Sequence, residues 1–134
     1  MVLEKFSEAT ILFSWGNEAE RKVVVRLVSE IGGGARVIER LPIKSFTSLL
    51  KRVDLAVGGD TGPVHIAAAV GTPTVSFYRS SDARRSGPRG RNHVVVQSPL
   101  HCAKCFRTQC DKDADCRASI KPEALMTAIC SLLS

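Results

Sequence analysis

Gly58, Gly59, Asp60, Thr61, Gly62, Pro63 and His65 stand where an apolar run, Asp54 to Gly58, gives way to a run of small residues. Their types suit recognition of an anion and of hydroxyl groups. Glycines let a ligand approach the backbone and permit unusual dihedrals. A helix starting near Gly62 or Pro63 leaves its first amides unpaired and turns its positive dipole end toward the turn, which suits a phosphate or diphosphate. Thr61 adds a hydroxyl donor. Asp60 repels a bare phosphate, but it can cap the helix or accept hydrogen bonds from hydroxyls such as those of a sugar. His65 falls in the first helical turn, where the dipole disfavours its charged form. It either donates to a phosphate or packs as a structural histidine. A ligand that is part anion and part polyol satisfies the whole turn. The alternative is that Gly59 and Gly62 only shape a tight strand-to-helix connection. The turn contains neither the Gly-Lys-Ser/Thr of a Walker loop nor G-x-G-x-x-G.

A second group with chemistry is "HCAKCFRTQCDKDADC", in which Cys102, Cys105, Cys110 and Cys116 are spaced C-x2-C-x4-C-x5-C. Four thiolates at such spacing allow a structural zinc site. Reduced structural thiols or a disulfide are the alternatives. The array approaches a zinc knuckle and, with Lys104 and Arg107, raises a nucleic-acid-binding module as a rival. Only Phe106 interleaves with the basic residues here, so no nucleic-acid partner is expected. Cys130 stands apart in an apolar run and reads as a buried small hydrophobe.

The net charge of +6 is unevenly placed. Arg79, Arg84, Arg85, Arg89, Arg91, Lys104 and Arg107 face a single acid, Asp82, over that stretch. Such a segment is either a solvated loop or the contact of an anionic partner: a phosphate ligand, a lipid surface or nucleic acid. The 134 residues, 44% of them hydrophobic, fit one domain with a packed core. No apolar run reaches the roughly 18 residues of a membrane span. The opening "MVLEKFSEATILF" carries Glu4, Lys5 and Glu8 before its apolar run, unlike a secretory signal. The chain is therefore expected in the cytoplasm.

The elements that must position these groups alternate between strand and helix. "TILFSWG", "ARVIE", "DLAVG", "TVSFY" and "HVVVQ" read as short strands. Asn17 caps a helix with Val23, Val24, Leu27, Val28 and Ile31 on one face, ended by Gly32, Gly33 and Gly34. Ser45 is expected to cap a short helix that buries Phe46, Leu49 and Leu50. A helix runs from about Pro63 to Val70, and Pro122 opens a last one that buries Leu125, Ile129, Leu132 and Leu133. Apolar, Val-rich strands between helices predict an α/β fold with a parallel sheet flanked by helices.

"DLAVGGDTGPVHIAAAVGTPTVSFY", followed by "SDARRSGPRG", resembles the C-terminal half of glycosyltransferase family 9, the lipopolysaccharide heptosyltransferases. The signature D-T-G-P-x-H-x-A-A-A-x-G-T-P-T is long and specific. The resemblance runs back through "FSWGNEAER" and forward through the cysteine array and "IKPEAL", from about Ile11 onward. It implies a Rossmann-like donor-binding domain of a GT-B enzyme. By this resemblance the chain is a single truncated nucleotide-sugar-binding domain over 1–134, with a cysteine-rich loop over 101–117. The donor implied is ADP-heptose, bound by Asp60, Thr61, Gly62, Pro63, Val64 and His65. Glu18 would match a family glutamate near the nucleoside. One departure is visible: many members carry F-G-P-T-D-P where this chain has Tyr78, Arg79, Ser80, Ser81, Asp82 and Ala83.

The reaction implied is an inverting glycosyl transfer through an oxocarbenium-like transition state. Helix amides from Thr61 to Val64, with Arg79 or Arg85, would stabilise the departing diphosphate, and no cofactor is required. One well-placed donor in such a site is worth about 3 kcal/mol. No catalytic base is assigned in this chain. The resemblance places the base and the lipid-linked saccharide acceptor with a preceding domain, so the chain alone is expected to be inactive. Acceptors of that kind allow peripheral contact at the inner face of the membrane. A non-catalytic nucleotide-binding module is the remaining alternative.

Overall fold

Parallel strand pairing organises the chain in two places. The computed structural model describes Met1–Ser134, which divide into two compact units, Met1–Lys44 and Ser45–Ser134.

In the first unit, α1 (Val2–Lys5) precedes β1 (Ile11–Phe13), α2 (Glu18–Ile31) and β2 (Ala35–Val37). β1 and β2 pair in parallel with Ile11 opposite Ala35 and Phe13 opposite Val37. Asn17 caps α2 as its type predicts: its Oδ1 accepts from the Glu20 amide at 2.9 Å. The Glu20 carboxylate reaches back to accept from the Gly16 amide at 2.6 Å, in the manner of a capping box. Gly32, with φ of 79°, ends the helix, its amide donating to the Val28 carbonyl. The Trp15 indole donates to the Ile38 carbonyl at 2.9 Å and ties the end of β1 to the end of β2. The apolar stripe of α2 lies on one face, yet α2 has no buried residue, and Val23 is 58% exposed. Within this unit a two-stranded sheet is too narrow to cover it.

The second unit is built on β3 (Ala56–Gly59), β4 (Thr74–Tyr78) and β5 (His93–Gln97), all parallel in the order β3-β4-β5. The central strand β4 is enclosed on both faces: Thr74, Val75, Ser76 and Tyr78 are all buried. A strand flanked on both sides in a parallel sheet is covered on both faces. Helix α4 (Gly62–Ala69) covers β3 and β4 with Val64 and Ala67. α5 (Ala83–Ser86) and α6 (Asp113–Ala118) are short, and α7 (Pro122–Leu133) packs Ala128 and Ile129 toward β4 and β5. The Thr72 hydroxyl donates to the Leu50 carbonyl at 2.6 Å, securing α3 (Ile43–Arg52).

Three helix expectations need correction. α3 begins two residues before Ser45, so Ser45 is inside the helix and caps nothing, and only Leu50 is buried; Phe46 and Leu49 are half-buried. In α7, Ile129 is buried, Leu125 and Leu132 are half-buried, and Leu133 is exposed. Cys130 is half-buried rather than enclosed. No helix is long and apolar enough to cross a membrane.

Candidate functional site

The carboxyl end of β3 runs directly into the turn at Asp60 and Thr61, and α4 starts at Gly62. Gly58 is required by packing: a Cβ there would lie 2.9 Å from Val64 Cγ2. This contact sets α4 close against β3 and accounts for the burial of Val64. The expectation that Gly58, Gly59 and Gly62 adopt unusual dihedrals is not met, since the positive-φ glycines are Gly32, Gly34, Gly71 and Gly90. Gly62 differs from Gly58. A Cβ at Gly62 would meet nothing within 4 Å, so the space before the helix is open.

Thr61 is the N-cap by backbone position, but its hydroxyl makes no cap bond and faces the Gly59 carbonyl at 3.5 Å. Pro63 occupies the first turn, where its missing amide costs nothing. The first-turn amides of Gly62 and Val64 have no carbonyl within the helix to bond.

Asp60 is the centre of a polar cluster. Its Oδ1 is 2.9 Å from His65 Nε2, and its Oδ2 accepts from the Ser86 hydroxyl at 3.1 Å. Burial alone would raise the Asp60 pKa, but hydrogen bonds from His65, Ser81 and Ser86 outweigh it, and the carboxyl titrates below its ordinary value. Asp60 is therefore an ionised acceptor at neutral pH. Asp60 is not the N-cap of α4: Thr61 holds that position, and the Asp60 carboxylate turns to His65 and Ser86.

Ser86 and Ser81 were not legible as site residues, and neither was the residue that places them. Gln97, at the end of β5, accepts from the Ala83 amide at 2.9 Å and donates to the carbonyls of Tyr78 and Ser81 at 3.2 and 3.1 Å. It fastens the segment after β4 to the sheet. Asp82 caps α5 by accepting from the Arg84 amide at 3.0 Å, and α5 then delivers Ser86 to Asp60. The sequence signal for this was Asp82 as a helix cap, four residues before Ser86.

Other predicted residues have partners of their own. The Arg79 guanidinium is paired with Asp113 at 3.0 Å. Arg85 lies over the Phe106 ring, 5.5 Å from its centre. Glu18 belongs to the first unit, at the start of α2, where it pairs with Arg21 at 3.3 Å. Cys102, Cys105, Cys110 and Cys116 all line one cavity of about 60 Å³, together with Arg79 and Arg107, and all are free thiols. No three of them are spaced to share a metal ion as they stand.

A parallel α/β unit with polar groups at the carboxyl ends of its strands is the architecture in which open sheets hold ligands. The profile of glycosyltransferase family 9 (heptosyltransferase) matches residues 2–114. The chain belongs to this family, and its fold is the helix-flanked parallel α/β fold of GT-B glycosyltransferases. It is 32% identical over 101 residues to lipopolysaccharide heptosyltransferase 1 of Pseudomonas aeruginosa, covering 75% of this chain and 28% of that protein. Lipopolysaccharide heptosyltransferase 1 of Campylobacter coli is 22% identical over 132 residues, covering 96% and 38%. The solved structure of E. coli heptosyltransferase WaaC with ADP superposes with a TM-score of 0.65 at 26% identity, over 69% of this chain and 29% of that one. The chain thus spans between about a quarter and two-fifths of the length of these relatives.

Proposed function

We propose that this chain is the donor-binding module of an inverting heptosyltransferase, and that its ligand is ADP-heptose. The observation that carries this reading is the ionised Asp60, held by His65 and Ser86 in front of the open first turn of α4. It offers an acceptor for sugar hydroxyls beside amides for a diphosphate. Membership of a heptosyltransferase family, with a relative solved with ADP, supports the choice of nucleotide.

In the transfer, an acceptor hydroxyl oxygen bonds to the anomeric carbon of the donor. The bond from that carbon to the phosphate oxygen breaks, and its electron pair leaves with ADP. Negative charge thus grows on the diphosphate as the bond lengthens. The amides of Gly62 and Val64 are fixed by the helix before the reaction, so they stabilise that charge without reorganising. Asp60 holds the sugar hydroxyls and favours the positive charge that develops on the ring. His65 orients Asp60 through Nε2, and in this reading its other ring nitrogen serves a phosphate oxygen. The proton of the acceptor hydroxyl goes to a base outside these residues. The acceptor in this proposal is a lipid-linked saccharide of the lipopolysaccharide core, met at the cytoplasmic face of the membrane. Exposed Arg84, Arg89 and Arg91 give that surface its attraction to anionic headgroups.

The test is an amide NMR titration with ADP, UDP, GDP and ADP-heptose. Shifts are expected at Gly59 to His65, strongest for the adenine nucleotides. Asp60→Asn should weaken ADP-heptose about tenfold and ADP much less. No response to any nucleotide by the folded protein overturns the proposal. Equal affinity for ADP and ADP-heptose, unaffected by Asp60→Asn, would favour a module that binds nucleotide without handling the sugar.

A further inference from the structure

We infer that Cys102, Cys105, Cys110 and Cys116 are the four ligands of one zinc ion that staples the segment between β5 and α7. This site is separate from the donor turn and does not depend on the proposal made for it.

The first support is what the segment lacks. No residue from Pro99 to Ile120 is buried, and α6 has no buried residue. A stretch of that length without a core needs another source of order, and small elements obtain it from a metal or from disulfides. The second support is convergence. The four thiols come from different parts of the segment, Cys116 from α6 and the others from the loop before it, yet all line a single cavity of about 60 Å³.

The backbone is bent to make this possible. Lys104 and Phe106 flank Cys105 with φ of 66° and 58°, a left-handed conformation that non-glycine residues adopt sparingly. Such local cost is kept where a side chain must be aimed. The Lys112 amide donates to Cys110 Sγ at 3.4 Å. Arg79, Arg107, Lys112 and Asp113 line the same cavity, with Arg79 paired to Asp113. Four thiolates around Zn²⁺ carry a net charge of −2, which Arg107 and Lys112 offset.

Binding must still draw the sulfurs in, because no three of them are now spaced for one ion. Cys102, Cys105 and Cys110 are exposed, whereas Cys116 is half-buried on α6. Zinc at about 2.3 Å from each sulfur closes the cavity around itself. Four thiol protons pass to solvent, and no electron is transferred. An all-sulfur tetrahedral set selects zinc or iron–sulfur chemistry over hard cations. Zinc is the assignment because four isolated thiols and a cavity of this size suit a single ion.

The segment's position adds a consequence. The Lys104 and Phe106 amides donate to the carbonyls of Arg79 and Ser80 at 3.1 and 2.7 Å, and Phe106 supports Arg85 of α5. An ordered cysteine segment therefore braces the stretch that follows β4.

The experiment is elemental analysis of the full chain purified under reducing conditions, with cobalt substitution of the same protein. One zinc per chain is expected, lost in Cys102→Ser and Cys116→Ser and kept in Cys130→Ser. Cobalt should give the intense visible bands of a tetrahedral ion and sulfur-to-cobalt charge transfer in the near ultraviolet. Should the serine variants fail to fold, thiol labelling of the unaltered chain decides: four cysteines should react only after chelation. Iron in place of zinc overturns the inference. So do a cobalt spectrum without sulfur charge transfer, thiols that react equally with and without chelator, and an intact mass short of two or four hydrogens.

Discussion

Gly62 and Asp60 carry the sharpest predictions at the residue scale. A methyl group at Gly62 would stand in open space at the start of a helix, on a backbone without positive φ. Folding alone gives no reason for glycine there, and alanine in a helix is favoured by about 0.5–1 kcal/mol. Gly62→Ala is therefore expected to hold or raise Tm while lowering ADP affinity about tenfold, because the methyl occupies the approach to the amides. Melting curves and a titration measure both. Unchanged affinity would mean that the glycine serves only the turn. Asp60 predicts a pH dependence. Its folded pKa is depressed, so its contribution to stability is present above the ordinary value of 3.8 and is lost as pH falls through the lower folded value. The carboxyl carbon followed by NMR should titrate below 3.8 in the unaltered chain and closer to it in His65→Ala.

Elements decide how those residues meet. α5 is a single turn, too short to hold itself, and Gln97 of β5 fastens its entry through three hydrogen bonds. Gln97→Ala leaves the Ala83 amide and two carbonyls without that partner, at a cost of about 1–3 kcal/mol. It should also release Ser86 and move the Asp60 titration upward; a Tm loss without that movement would confine Gln97 to stability. β4 carries a different signature. The hydroxyls of Ser76 and Tyr78 are buried without a hydrogen bond of good geometry, and burial, outweighing their weak interaction with each other, pushes the Tyr78 phenol up. Tyr78→Phe removes one such cost and is expected to leave stability unchanged or raise it by about 1 kcal/mol. A substantial loss of Tm would show that the hydroxyl has a partner in solution.

For the whole molecule, burial is concentrated in one place. β4 lies between two parallel neighbours and under α4 and α7, whereas the first unit has a two-stranded sheet and a helix with nothing buried. Local opening follows contact density. Amides of Val75 to Tyr78 should therefore exchange slowest, and those of β1 and α2 much faster. Hydrogen exchange followed by mass spectrometry measures this. Uniform protection across both units would contradict it.

Much of this architecture is legible in the residue order. β4 and β5 fall on the runs TVSFY and HVVVQ, and Asn17, Gly32 and Pro122 mark helix ends because capping and φ preferences are local properties. The strand-to-helix turn from Gly59 to His65 was legible as a break between two apolar runs, but the ordinary dihedrals of its glycines were not. Burial was not. Whether Val23, Phe46 or Leu133 is covered depends on what the chain brings against it, which a helical pattern cannot state. The partners of Asp60 were equally hidden. Ser86 lies 26 residues away and reaches Asp60 only because β3 and β4 pair in parallel, with Gln97 of β5 holding the stretch after β4. The sequence by itself determined the strand-and-helix alternation, the caps and the chemistry on offer at the turn, since these follow from neighbouring residues. Only the tertiary structure decided which side chains meet that turn and that four spaced cysteines share one cavity, since contacts between distant residues arise from packing.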